Sequence, residues 1–395
     1  MNKQLPAHIA FGQRLAQNPK VNIDFNLSDS CAQSLSVHAL CKLADSTVES
    51  VLGDQELSYA PLWGGKVLRR LIADFHQSAN RHKTKLTTED VLTFCGAQEA
   101  LSAIYQCVFS TNTSFSCSEL AESEIVVMTP CYPSLVTMAK QMGIKVNYLR
   151  LDPKQTWQVT LKNLSRLVNE KTRLIVINSP HNPTGSVIKS TLANEILTLA
   201  KKFNCYLLAD DVSQMSNYHQ LPLAHRYLDY DKAIVVSVLS KSFGLAGLRI
   251  GWAVSKNKAL LKQLLAVKAQ ASICTSIIDE KLAELALTNH EKIINENNNL
   301  TANNIKLFQQ FIDNNSFFLS WQPPEAGLLA LVRCHTKIPM LEWAEQLAEQ
   351  AGIFVYPASL FGLNEPYFRL GLGRADLPLI LERLQNFIDV SVLPQ

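Results

Sequence analysis

The chain is short of everything that marks a membrane, secreted or nucleic-acid-binding protein. It has no run of about 18 apolar residues, so no membrane-spanning helix is expected. Its opening, MNKQLPAHIAFGQRLAQ, lacks the apolar core of a signal peptide. Charge is sparse, 18% of residues with a net +3, and there is no basic block and no aromatic–basic interleaving. Neither nucleic acid nor an anionic membrane surface is therefore an expected partner. Nine cysteines fall at scattered spacings, with no C-x-x-C and no His/Cys cluster spaced to hold a metal. Free thiols in a reducing cytoplasm, and no metal, are the expectation. What remains is 395 residues, 47% hydrophobic, enough for one large domain and a smaller one.

From about residue 90 to 255, strand-like runs alternate with helix-like stretches. The runs are EIVVMTP (124–130), RLIVINSP (173–180), CYLLAD (205–210), AIVVSVLS (233–240) and IGWAVS (250–255). Between them lie AQEALSAIYQCVF (97–109) and KSTLANEILTLAKKFN (189–204). Such alternation predicts a mostly parallel sheet covered on both faces. After about 257 the pattern turns helical. Short strands resume at 327–333, 352–357 and 367–373, with helices at 339–351 and 375–390. This is a second, smaller α/β unit. Residues 1–45 read as an irregular arm lying across it, followed by a large domain over 46–285 and a small one over 286–395.

Parallel sheets bind ligands at the carboxyl ends of their strands. Three consecutive strand ends carry Pro180-His181-Asn182, Asp210-Asp211 and Ser240-Lys241, an amide, a carboxylate and an amine facing one crevice. Lys241 directly follows an apolar strand, where partial desolvation makes a neutral, nucleophilic amine accessible. Arg249 follows after a loop containing Gly244 and Gly247. A lysine for a Schiff base and an arginine for a phosphate together suit pyridoxal phosphate. GAQEA (96–100) opens a helix after VLTFC, so the free N–H groups of Ala97 and Gln98 would cradle that phosphate.

PHNPTG (180–185), ADD (209–211) and SKSFGLAGLRIGW (240–252) resemble the signature blocks of the class I/II pyridoxal-phosphate aminotransferases of fold type I. The likeness runs from about Tyr59 to Arg374. SDSCAQSLS (28–36) and ASICTS (271–276) are similar to a subgroup that includes capreomycidine synthases. The resemblance implies an α/β fold, with a mostly parallel seven-stranded sheet between helices and a smaller C-terminal α/β domain. It implies that Lys241 carries the cofactor and shuttles the proton from Cα, that Asp210 pairs with the pyridinium nitrogen, and that Asn182 donates to the 3′ oxygen. Tyr132 would stack on the ring, while Ser240 and Arg249 complete the phosphate cup. Tyr59 would reach the phosphate of a neighbouring subunit, giving a homodimer with shared sites. Arg369 would clamp the substrate carboxylate. Asp211 reads as scaffold, Cys131 as a small buried residue and Arg374 as a surface residue.

The pattern departs from the family at Ser213, where most members carry a tyrosine whose hydroxyl also bonds the 3′ oxygen, and mildly at Ala358, usually glycine. Serine is too short for direct contact, although a water can bridge. Relatives that eliminate, replace, cyclise or oxidise also lack this tyrosine. Asp29 either reads a basic substrate side chain or, with Ser28, caps the following helix. The sequence thus supports transfer of an amino group from an L-amino acid to a 2-oxo acid. The alternative is elimination, replacement, cyclisation or oxidation of an amino acid such as an arginine derivative. A non-catalytic sensor is disfavoured because Lys241, Asp210 and Arg249 are all present.

Overall fold

The computed structural model describes residues 5–80, 83, 85–109 and 122–391. Cys117 lies outside them. The expected seven-stranded sheet forms, in the order 91–94, 251–254, 233–238, 206–210, 172–178, 124–129, 145–150. Only Gly251–Val254 runs against the rest; it is antiparallel to both of its neighbours. Strands Glu124–Thr129, Thr172–Asn178 and Ala233–Val238 are buried along their whole length, which is why they read as continuous apolar runs. Alternate residues feed opposite faces. Val126, Ile175, Leu207 and Val235 enter one core, and Ile125, Leu174, Leu208 and Ile234 enter the other.

The smaller unit is an antiparallel four-stranded sheet in the order 356–357, 367–371, 329–334, 319–321. It packs around its own core, which includes Phe368, Leu370, Trp343 and Leu384. The 25-residue helix His290–Asn314 links the two units. Its Ile293 and Ile294 join the large core, while Phe308 and Ile312 join the small one.

Two expectations for the first 45 residues need correction. Ala7–Gln17 is a helix, not irregular chain, and it buries Phe11 and Leu15 in the small core. Neither Ser28 nor Asp29 caps the helix Val37–Leu43; Ser36 does, accepting from the Ala39 N–H at 3.0 Å. Phe25–Asn26 pairs in parallel with Ile353–Phe354, fastening the arm to the small unit. The run 352–357 is also two short strands, Ile353–Phe354 and Tyr356–Pro357, each in a different sheet.

Candidate active site

The chain moves outward from strand 124–129 to the edge strand 145–150, then turns back through 172–178, 206–210 and 233–238. The crevice at that reversal is where an open α/β sheet binds its ligand. A cavity of about 370 Å³ lies there, lined by Ala97, Gln98, Tyr132, Asn182, Asp210, Ser240, Lys241, Arg249 and Arg369. The residues singled out from three strand ends, a helix start and a small-domain strand thus meet in one place.

Asp210 ends its strand 5% exposed. Burial pushes its carboxyl up to about 7, against a 3.4 Å contact from the Val212 N–H; neighbouring Asp211 raises it further and Lys241 opposes the rise. Asn178 buttresses this strand end: its Nδ2 donates to the Asp210 carbonyl at 2.9 Å, and its Oδ1 accepts from the Asn182 N–H at 2.6 Å. Asp211 turns away and is paired with His225, whose ring stacks on Tyr227 with centroids 3.9 Å apart. Neither member of that buried pair lines the cavity.

At the other end, helix Ala97–Val108 begins after Gly96, and no side chain among the described residues caps it. Gly96 holds φ at +89°, and a Cβ there would lie 2.5 Å from Nη2 of Arg249. Missing side-chain bulk, uncapped N–H groups, the guanidinium and Ser240 make a donor set that fits a phosphate. Tyr132 Oη sits 3.4 Å from Gln98 Oε1. Arg369 is buried between Tyr356 and Phe361, its guanidinium carbon 5.0 and 4.8 Å from their ring centres. Its Nη2 donates to the Ser28 carbonyl at 2.8 Å and its Nη1 approaches Asn182 Oδ1 at 3.4 Å. Its Nε is buried without a partner among the described residues, a donor suited to an incoming carboxylate. Burial lowers its pKa to about 10, so it stays charged.

Other residues fall elsewhere. Tyr59 is 84% exposed and is not part of its own chain's cavity. Ser213 does not line the cavity either; its carbonyl accepts from the Ser216 N–H at 3.0 Å. Asp29 is outside the lining, occupied by the Cys31 N–H at 2.9 Å and by Arg374 at 3.7 Å. Arg374 is therefore partly buried against the arm rather than free on the surface. Cys131 is buried, and burial pushes its thiol up to about 12, which removes it as a nucleophile. Among the described residues no cluster could hold a metal ion, and no helix is long and apolar enough to cross a membrane.

Sequence reasoning missed His8, Ser30, Cys31, Asn178 and Tyr356, all of which line the cavity. Burial, then nearby Arg369, lower the His8 pKa to about 4, so its ring is neutral among the aromatic rings of Tyr132 and Tyr356. Asn178 was detectable as the polar residue ending an otherwise apolar strand. His8 was not, because nothing local ties the first helix to a sheet crevice so far along the chain.

A family model described as aminotransferase class I and II matches residues 23–384. The capreomycidine synthase of Streptomyces vinaceus is 27% identical over 239 residues, 60% of this chain. The chain spans 61% of that relative's length. A probable aminotransferase of Arabidopsis thaliana is 24% identical over 348 residues, 84% of this chain and 74% of the relative. Among solved structures, a PLP-dependent aminotransferase from Streptococcus suis superposes with a TM-score of 0.88 at 22% identity, with both chains covered in full. The PLP-dependent cyclase OrfR gives 0.84 at 22% identity, covering 99% of this chain and 98% of that one.

Proposed function

The chain belongs to the class I and II aminotransferases, a family that works with pyridoxal phosphate, and we propose that it moves the amino group of an L-amino acid to a 2-oxo acid. The observation that carries this reading is the convergence of Lys241, Asp210 and Arg369 on one cavity beside an uncapped helix start. Bound pyridoxal phosphate supplies an electron sink for the charge left when a proton leaves the substrate's Cα.

This chain's residues do the rest. Arg249, Ser240 and the Ala97 and Gln98 N–H groups hold the phosphate. Tyr132 covers the ring. Asp210 keeps a proton on the ring nitrogen, and an opposite charge there lowers the carboxyl from its raised value. Arg369 grips the α-carboxylate with a planar two-pronged contact. Asn182, which lines the cavity beside that guanidinium, would donate to the cofactor's 3′ oxygen. Lys241 Nζ, the only amine among the described residues that lines the cavity, takes the proton from Cα and moves it on. The amino group then stays with the enzyme until a 2-oxo acid collects it.

The proposed working unit is a homodimer with shared sites. The exposure of Tyr59 and of Leu57 and Val67 near it, at 84%, 79% and 58%, supports a covered face there. The proposed domain division remains an arm to about residue 45, a large unit to 285 and a small unit beyond.

A second reading, cyclisation, elimination or oxidation on an amino acid such as an arginine derivative, has two specific supports: the likeness to capreomycidine synthase, and Ser213 in place of a tyrosine. Half-reactions with a panel of L-amino acids, no acceptor added, separate the two. Amino transfer gives one equivalent of the matching 2-oxo acid, loss of the visible cofactor band and no ammonia. Continuous release of ammonia or of a cyclic product overturns it in favour of the second reading.

A further inference from the structure

The arm residues Ser28–Gln33 cross the cavity between the two units. Ala32 N–H donates to the Lys241 carbonyl at 3.0 Å, and Gly371 N–H donates to the Leu27 carbonyl at 2.7 Å. Ser28 Oγ donates to the Arg369 carbonyl. The backbone of this strap lies so close to its neighbours that a Cβ at Gly371 would collide with Asp29, and one at Gly244 with Gln33. The strap is thus fixed from both sides, and so is the hydroxyl it presents. Ser30 Oγ accepts a hydrogen bond from Lys241 Nζ at 2.6 Å, with Cys31 Sγ behind it at 3.9 Å. Ser30 and Lys241 both line the cavity.

We propose that Ser30 is a positioning residue for Lys241, holding the free amine in the cavity whenever it is not bonded to the cofactor. That condition arises twice, before the cofactor attaches and again after a substrate amino group has displaced the lysine. In both, one N–H is engaged by Ser30 Oγ, which holds Nζ facing the cavity where attack and proton transfer take place. On attachment Nζ forms a bond to the aldehyde carbon and the aldehyde oxygen leaves as water; during turnover the same atom takes the Cα proton. Without the hydroxyl, the four-carbon side chain samples other rotamers and both events slow. The second event rests on the proposed function, whereas the first needs only the cofactor of the family.

The test uses the full chain, stripped of cofactor, and follows the appearance of the visible band after pyridoxal phosphate is added. Ser30→Ala is expected to load at least tenfold more slowly than wild type. In the loaded protein, wash-in of deuterium at Cα of an accepted amino acid slows by a similar factor while the donor KM changes less than twofold. Ser30→Thr, which keeps the hydroxyl, restores both rates to within about threefold. Loading of Ser30→Ala at the wild-type rate overturns the proposal, as does failure of Ser30→Thr to restore it. Because loading involves no substrate, it decides the role of Ser30 even if no amino-acid donor is found, a result that would count against the proposed function alone.

Discussion

Above neutral pH the free protein carries a charged carboxylate at Asp210 in a place that solvates it poorly, and stability should report this. Its carboxyl stands near 7 in the folded chain against an ordinary 3.8. The folded state therefore holds this proton where the unfolded state has lost it, and stability falls as pH rises from about 4 to about 7. Asp210→Asn removes the penalty, by up to about 4 kcal/mol at about 1.36 kcal/mol per unit. Thermal melts of the cofactor-free protein should show the variant gaining on wild type over that interval and levelling off above it, while it binds pyridoxal phosphate more weakly. A pH-independent difference would contradict the burial argument. Asp210 and Lys241 were legible in the sequence because each ends an apolar run, and a strand end fixes what its last side chain faces. Ser30 was not, because its contact with Lys241 joins two segments 211 positions apart. Asp29 was the more conspicuous residue of that stretch, but the structure commits it to Arg374 and the Cys31 N–H.

The helix start at Ala97 works only because Gly96 contributes no side chain. In Gly96→Ala, the added methyl carbon meets the Arg249 guanidinium at 2.5 Å and the backbone is held at φ +89°. Left-handed strain costs on the order of 1–3 kcal/mol. A titration followed by absorbance should give at least a tenfold rise in the Kd for pyridoxal phosphate, about 1.4 kcal/mol. Unchanged affinity would show that the phosphate does not sit there. Buried elements were the easy ones to read. Thr172–Asn178 and Ala233–Val238 are apolar throughout, so their sequence and burial coincide. Edge and arm elements were harder. Lys145–Arg150 buries only Leu149 fully and shows no apolar run. Ala7–Gln17 buries His8, Phe11 and Leu15 along one face, but Gly12 interrupts the pattern and no side chain caps its start.

The two cores, joined by helix His290–Asn314 and by the arm, place Arg369 and Lys241 on different units that meet across one cavity. The sequence pattern conveyed the two units; the route of the arm between them emerged only from packing. A shared-site dimer makes a prediction at this scale. Chains carrying Lys241→Ala and chains carrying Tyr59→Ala, each impaired alone, should regain activity when co-expressed, because one of the two sites in a mixed dimer then has both native residues. No recovery in a purified mixed dimer would mean that Tyr59 serves no neighbouring site. Borohydride reduction of the loaded protein followed by peptide mass mapping shows whether this cavity is built around a covalently held pyridoxal phosphate. One reduced cofactor per chain is expected on the peptide containing Lys241, and none on the Lys241→Ala variant. A label on another lysine, or equal labelling of that variant, would contradict it.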